Sequence, residues 1–326
     1  CRIVKVSEDG PKKGICGADE DTIAARNLAR AIAAGAAAHS DHGRDIAHAL
    51  YHAAKNPESG YRVKNPQKLI SLANEWGIET ENMDIEEIAA KVAETALQEF
   101  GKPFGHLRFT DRAPKGRQEI WDEMNVRPRA IDRDVVEVLH STHIGCDADY
   151  RNIMTAATRA ALSDGWGGSM IGTELSDILF GVPEPHEVEA NLGVLKENEV
   201  NIVIHGHEPT LSEAILVAVN DPELTELAKE QGAEGINLVG MCCTGNEIAM
   251  RHNVPMAGNF FQQELAIVTG AVDAMVVDVQ CIMPALSQVA KCYHTKLITT
   301  SPKAKIPGAI HMQFDEEKAI ESAKKI

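Results

Sequence analysis

Residues 200–207 read Val200-Asn201-Ile202-Val203-Ile204-His205-Gly206-His207. A short run rich in β-branched side chains and followed by a helical pattern is the mark of a buried parallel strand in a βαβ unit. Two further stretches repeat the plan. Ile236-Asn237-Leu238-Val239-Gly240-Met241 stops at Cys242-Cys243-Thr244-Gly245-Asn246-Glu247, and Ala274-Met275-Val276-Val277-Asp278-Val279-Gln280 closes on Cys281. In an open parallel sheet with right-handed crossovers, the carboxyl ends of the strands face one crevice, and ligands bind there. The pattern therefore predicts that His207, Cys243 and Cys281 converge in space. Three soft donors at one edge suit zinc, an iron–sulfur cluster or nickel, and softness alone does not choose among them. His205 and His207 point the same way in an extended segment, so spacing leaves open which of them would ligate.

Outward from this core, the downstream chain predicts a helix to about residue 292, strands over 296–300 and 309–314 with a loop between them, and a last helix over 315–326. Upstream, nothing alternates as a strand should. Helical patterns cover 22–38, with a continuation or restart through 39–54, then 66–76, 85–100, 135–143 and 150–162. In the third of these Ile85, Ile88, Val92, Ala96 and Phe100 recur at helical spacing. Gly- and Pro-containing stretches at 101–118, 165–168 and 182–185 read as loop, turn and boundary. The fold class that follows is α plus α/β: an all-helical domain over 1–183, then a Rossmann-like parallel-sheet domain over 184–326. A chain of 326 residues is also too long for one ordinary core.

Composition removes several functions. A formal net charge of -16 with no clustered Lys and Arg disfavours nucleic acid and anionic membranes. No apolar run reaches the roughly 18 residues of a membrane span. Seven cysteines, two of them adjacent, do not form a secreted disulfide framework, so the cytoplasm is the expected address. The chain opens on Cys1 rather than Met and ends inside a helical pattern, which reads as a piece of a longer protein.

Other polar groups invite a role. His39, His42 and His48, with Asp45 in the gap, recur at multiples of three on a predicted helix and could relay protons; the plain alternative is a polar face in water. Cys1 and Cys16 flank a Gly-containing loop and supply two of the four thiolates a cubane needs. Asp164, beside Gly165, Gly167 and Gly168, reads as a turn former. Cys146 and Cys292 read as small buried hydrophobes.

Taken together these residues resemble the anaerobic nickel-iron carbon monoxide dehydrogenase family, and within it the catalytic subunit that works with acetyl-CoA synthase. The resemblance rests on Gly14-Ile15-Cys16-Gly17-Ala18, on Ala36-Ala37-Ala38-His39-Ser40-Asp41-His42-Gly43 and on Ser176-Asp177-Ile178-Leu179-Phe180-Gly181. It rests equally on His205-Gly206-His207, on Gly240-Met241 with the Cys242–Glu247 run, and on Asp278-Val279-Gln280-Cys281-Ile282-Met283-Pro284. It implies two-electron interconversion of CO and water with CO2 at a nickel-iron-sulfur cluster, with [4Fe–4S] clusters passing electrons to a ferredoxin-like carrier. By motif match His207, Cys243 and Cys281 are cluster ligands, and the resemblance thus selects the second histidine of the pair. Cys1 and Cys16 match two ligands of an electron-transfer cubane. His39 matches a histidine at the active centre, His42 and His48 the relay behind it, and Asp164 an acidic residue near one iron. Asp45 stands where another histidine can occur. The remaining cysteines and the family's lysine are expected beyond the two ends, and a homodimer is implied, with an acetyl-CoA synthase subunit as a further partner. The competing readings are a hybrid-cluster protein resembling a hydroxylamine reductase, and an inactive truncated paralogue that binds a partner subunit.

Overall fold

The computed structural model describes residue 3, residues 9 and 10 and residues 12–326. The chain forms two compact units. One takes the chain as far as His48 together with Ser71–Asn82 and Ala90–Leu175; the other takes Ala49–Ile70, Met83–Ala89 and Ser176–Ile326.

The first unit is helical. Its longest element, α1, is one unbroken helix over Glu20–Lys55, so of the two alternatives after residue 38, continuation or restart, the chain takes the continuation. Ala25, Ala29 and Ala33 form a buried stripe at steps of four. They pack on Val138 of α5 (Ile131–Ser141) and on Ile153, Ala156, Ala157 and Ala160 of α6 (Tyr150–Ser163). Alanine favours the helix because it loses no side-chain entropy, and its small volume lets the axes approach. α2 (Pro66–Glu75) and α3 (Ile85–Gly101) fall where the periodicity puts them. Within 101–118 the structure departs from the expected loop, with a 3-10 turn at Arg108–Arg112 and α4 at Lys115–Glu123. Pro114 caps α4, at a position where its missing N–H costs no helical bond.

The glycines at 165–168 do not make a turn either. They belong to a π-helical segment, Asp164–Ser169, that passes directly into α7 (Met170–Phe180). Glycine is needed here for close approach. A Cβ on Gly168 would lie 2.5 Å from the Ser40 Cα, and one on Gly43 would lie 2.4 Å from the Gly168 carbonyl oxygen. Backbone meets backbone where α1 crosses this segment.

The second unit is built on six parallel strands. They are β1 (Val200–Gly206), β2 (Ile236–Met241), β3 (Met256–Gly258), β4 (Ala274–Val277), β5 (Lys296–Thr299) and β6 (Ile310–His311), in spatial order β3-β2-β1-β4-β5-β6. This is the doubly wound order, and it reverses between β1 and β4; α8 (Pro209–Val219) and α9 (Pro222–Glu230) connect β1 to β2. β1 pairs with β2 from Val200↔Ile236 to His205↔Met241, and with β4 from Ile202↔Ala274 to His205↔Val277. Val203, Val239, Met241, Met275, Val277 and Leu297 are buried in one core, and a sheet covered on both faces accounts for strands that read as apolar runs without alternation. β3 escaped sequence reading because three residues carry no periodicity; of the strand expected over 309–314, Ile310 and His311 pair in register with β5, and Met312 N and Phe314 N continue the bonding to the Thr299 and Thr300 carbonyls at 3.0 and 2.9 Å.

The linear boundary at 183/184 is corrected by packing. Residues 49–70, 83–89 and 176–183 belong with the sheet. The Tyr61 hydroxyl donates to the Thr210 carbonyl at 3.3 Å, and Lys68 Nζ lies 2.6 Å from Asp177 Oδ2, which also faces the buried Arg251. No helix among the described residues is long and apolar enough to cross a membrane.

The crossing of α1 gives a paired test within one helix. Gly43→Ala forces a methyl onto a backbone carbonyl and is expected to cost about 2–3 kcal/mol, at the upper end for overpacking. Gly35→Ala meets nothing within 4 Å and is expected to stabilise by about 0.5–1 kcal/mol through helix propensity. Chemical denaturation of the two variants beside wild type checks the opposite signs.

Candidate metal centre

The carboxyl edge of the sheet is organised by Asp278, the first residue after β4 and only 3% exposed. Its Oδ1 accepts from the backbone N–H of His207 at 2.6 Å and from that of Val279; its Oδ2 accepts from Glu208 N at 3.1 Å and from the Thr244 hydroxyl at 2.9 Å. One carboxylate thus ties the end of β1, its own loop, and the first turn of α10 (Cys242–His252), which follows β2. Gly206 makes this approach feasible. Its φ is 137°, and a Cβ there would sit 1.8 Å from Asp278 Oδ1. Burial pushes the carboxyl up to about 7, opposed by the backbone donors. A second close approach places α10: a Cβ on Gly240 would fall 2.5 Å from the Gly245 Cα.

The two histidines of the pair separate. His205 is within β1 and fully buried, and burial pushes its imidazole down. His207, after the Gly206 bend, is partly exposed at the crevice. Cys243 and Cys281 are exposed and Cys242 is buried. Both thiol-bearing turns carry non-glycine residues in the left-handed region: φ is 58° at Cys242, 64° at Gln280 and 56° at Cys281. Such residues cost about 1–3 kcal/mol each and concentrate at functional sites.

The surroundings of the Cys242 and Cys243 thiols oppose thiolate charge. Burial pushes the Cys243 thiol up, and the charges of Cys281, Glu247 and Asp278 push it further. Burial, then Cys281, Cys243 and Asp278, push Cys242 up to about 12. A positive group sharing the site would favour the thiolate forms. Among the described residues, no three or more His, Cys, Asp or Glu close on a single ion. A polynuclear cluster, whose own edges hold its ligands apart, places a different demand on spacing. One imidazole and two accessible thiols around a crevice fit the donor chemistry of such a cluster.

In the first unit, Asp164 is helical and its carboxylate is engaged. His39 Nδ1 lies 2.9 Å from Oδ1 and 3.1 Å from Oδ2, and the Ser169 hydroxyl donates to Oδ1 at 3.2 Å. The turn-former reading of Asp164 is therefore replaced: the residue opens the π segment and orients a histidine. A carboxylate partner at Nδ1 fixes the orientation of the His39 ring. His42 lies against α7, where a Cβ on Gly172 would fall 3.3 Å from its Cδ2. His48 is exposed. On a continuous helix each three-residue step ends about 60° short of a turn, so His48 comes about 180° round the axis from His39. Asp45 is the intermediate step.

Cys16 is exposed. The Ala18 backbone N–H and then Arg26, whose Nη1 is 3.8 Å from the sulfur, hold its thiol below the usual range. Cys1 lies outside the described residues. Cys146 and Cys292 are exposed rather than buried, because one stands in the loop between α5 and α6 and the other just beyond α12 (Leu286–Ala290). Asp278 was legible in the sequence only as a member of a motif. The available signal was an acid ending an apolar run, directly before the turn to Cys281.

The whole chain, residues 1–326, matches the Prismane/CO dehydrogenase family. The chain belongs to that family. It is 56% identical over 326 residues to carbon monoxide dehydrogenase 1 of Methanosarcina mazei, covering 100% of this chain and 52% of that protein. It is 48% identical over 328 residues to the carbon monoxide dehydrogenase/acetyl-CoA synthase subunit beta of Moorella thermoacetica, covering 99% of this chain and 48% of that one. An as-isolated, Ni-free crystal structure of carbon monoxide dehydrogenase from Thermococcus sp. AM4 superposes with a TM-score of 0.95 at 54% identity, covering 100% of this chain and 53% of that chain. The chain spans about half the length of these relatives. The helical segments followed by a parallel sheet are thus the architecture of this family.

Asp278→Asn keeps the shape of the hub but turns an amide N–H2 towards donors. Leaving buried donors unpaired costs about 1–3 kcal/mol per group, so a loss of about 2–4 kcal/mol is expected. Faster hydrogen exchange at the His207 and Glu208 amides would accompany it; an unchanged unfolding midpoint would show that the hub is not needed.

Proposed function

We propose that this chain is part of an anaerobic carbon monoxide dehydrogenase, interconverting CO and H2O with CO2, two protons and two electrons, and that His207, Cys243 and Cys281 hold its nickel-iron-sulfur cluster. The supporting observation is the meeting of strand ends at the reversal of the sheet, where Asp278 fixes the His207 and Cys243 turns beside the Cys281 loop. The names of the relatives agree with it. When bound, the cluster supplies the low-potential redox chemistry to which soft thiolate ligands are suited.

The chain's own residues hold that group and move protons. The Cys243 and Cys281 sulfurs, exposed at the crevice, offer thiolate charge, and His207 offers a neutral imidazole on a backbone clamped by Asp278. His39 takes up and releases protons, while Asp164, hydrogen-bonded to its Nδ1, orients the ring. His42, Asp45 and His48 carry protons onward along α1. Cys16, with Cys1, contributes to a [4Fe–4S] cluster for electron transfer, and Arg26 beside the Cys16 sulfur favours its thiolate. A second copy of the chain, a ferredoxin-like electron carrier and an acetyl-CoA synthase subunit are the partners of this reading. The last is supported by the Moorella relative, whose name joins the two activities. The cytoplasm, where thiols stay reduced, is the compartment that suits it.

Two substitutions separate the roles. In the full-length protein purified without oxygen, His207→Ala is expected to lose nickel or disorder the cluster while circular dichroism keeps the wild-type helix content; wild-type nickel content would remove His207 from the ligand set. His39→Ala is expected to retain nickel and iron and to turn over about 10²–10⁴-fold more slowly, the range for a lost general acid–base. Metal analysis and CO-dependent dye reduction read both, and a wild-type rate would return His39 to a solvated helix face.

A further inference from the structure

The loop that carries Cys281 is held from outside by one side chain. Gln263 opens α11 (Gln263–Val268), the helix after β3, and is 0% exposed. Its Nε2 donates to the Cys281 carbonyl at 2.8 Å and to the Phe260 carbonyl at 2.9 Å, and its Oε1 accepts from Met283 N at 3.0 Å. Both ends of the amide are therefore used, and they grip the chain on either side of Ile282. That grip falls where the backbone is most costly, at the consecutive left-handed residues Gln280 and Cys281. A strained conformation persists only if its surroundings over-determine it. Asp278 fixes the upstream end of the loop through Val279 N, and Ile282 and Met283 pack against the core below the sheet. Neither contact sets the peptide planes on both sides of residue 282.

We propose that Gln263 is a positioning residue: its amide clasps Cys281 and Met283, locks the left-handed turn, and so aims the Cys281 thiol into the crevice it shares with Cys243. The proposal rests on the reading of Cys281 as a cluster ligand, and it concerns how the ligand is presented rather than what it binds. Glutamine suits the task because it is a donor and an acceptor on one planar group, and the clasp needs one of each. Leucine has the volume but neither function. Ionised glutamate accepts from Met283 but cannot donate to Cys281.

The test uses the full-length protein, with cluster-free and metal-loaded preparations compared. In the cluster-free protein, Gln263→Leu is expected to speed hydrogen exchange at Met283 N and iodoacetamide alkylation of Cys281 by about ten-fold, as two buried groups lose their partners. Cys243 should keep its wild-type alkylation rate. Gln263→Glu should fall between Leu and wild type at the Met283 amide. Asn201→Ala is the control for general destabilisation. Its side chain bonds the Lys196 and Ala271 carbonyls at the opposite edge of the same sheet, and it should leave Met283 and Cys281 unchanged. Equal effects from Asn201→Ala and Gln263→Leu would overturn the proposal, as would a wild-type Met283 amide that exchanges without protection. If the leucine variant does not fold, the glutamate variant and the wild-type protection decide. A wild-type protein that binds neither nickel nor iron would instead defeat the cluster reading, and the exchange measurements would still stand.

Discussion

One buried carboxylate holds the crevice together. Asp278 has four donors around it, drawn from three segments: two from the end of β1, one from the start of α10 and one from its own loop after β4. Burying an acid is costly unless donors surround it, and donors at strand ends are costly unless an acceptor reaches them. Each expense cancels the other only if all three segments arrive together. The same requirement explains Gly206, because any side chain there would occupy the space of Asp278 Oδ1.

The place of this hub follows from topology. In the order β3-β2-β1-β4-β5-β6, β1 and β4 are neighbours whose crossovers depart in opposite directions, which opens a cleft at their carboxyl ends. Asp278 stands at that cleft on one strand and His207 on the other. The first unit solves a different problem by a similar means. The π segment at Asp164–Ser169 uses bare glycine backbone to lie directly on α1, and the carboxylate at its head meets His39. In both units glycine supplies proximity and an aspartate uses it.

The legible part of the sequence was the part with a period or a chemical terminus. β1, β2 and β4 announced themselves as β-branched runs ending in His or Cys, and α1 and α3 as long helical repeats. β3, with three residues, and α4, hidden behind Pro114, had too little pattern to register. The candidate ligands were visible because soft donors at strand ends are rare. What kept them in place was not visible, since a hydrogen bond between residues 207 and 278, or 263 and 281, leaves no trace in local spacing. His205 and His207 show the limit most sharply. Alternation made them equivalent, and a single left-handed glycine between them buried one and left the other at the crevice.

The two thiol turns show why strain and charge belong to one account. Glycine would sit in the left-handed conformations at Cys242 and Cys281 without cost, yet both positions are cysteine. Burial and neighbouring negative groups raise the Cys242 and Cys243 thiols as well. A turn that is conformationally costly and electrostatically unfavourable as thiolate has two debts, and a bound cation relieves the second directly. In the proposed site it would relieve the first indirectly, because thiols held by a metal would be fixed in the positions that the left-handed backbone provides. Binding energy at such a site is therefore also folding energy, and the contacts that pre-form the turns, Asp278 among them, determine how much of it remains for affinity.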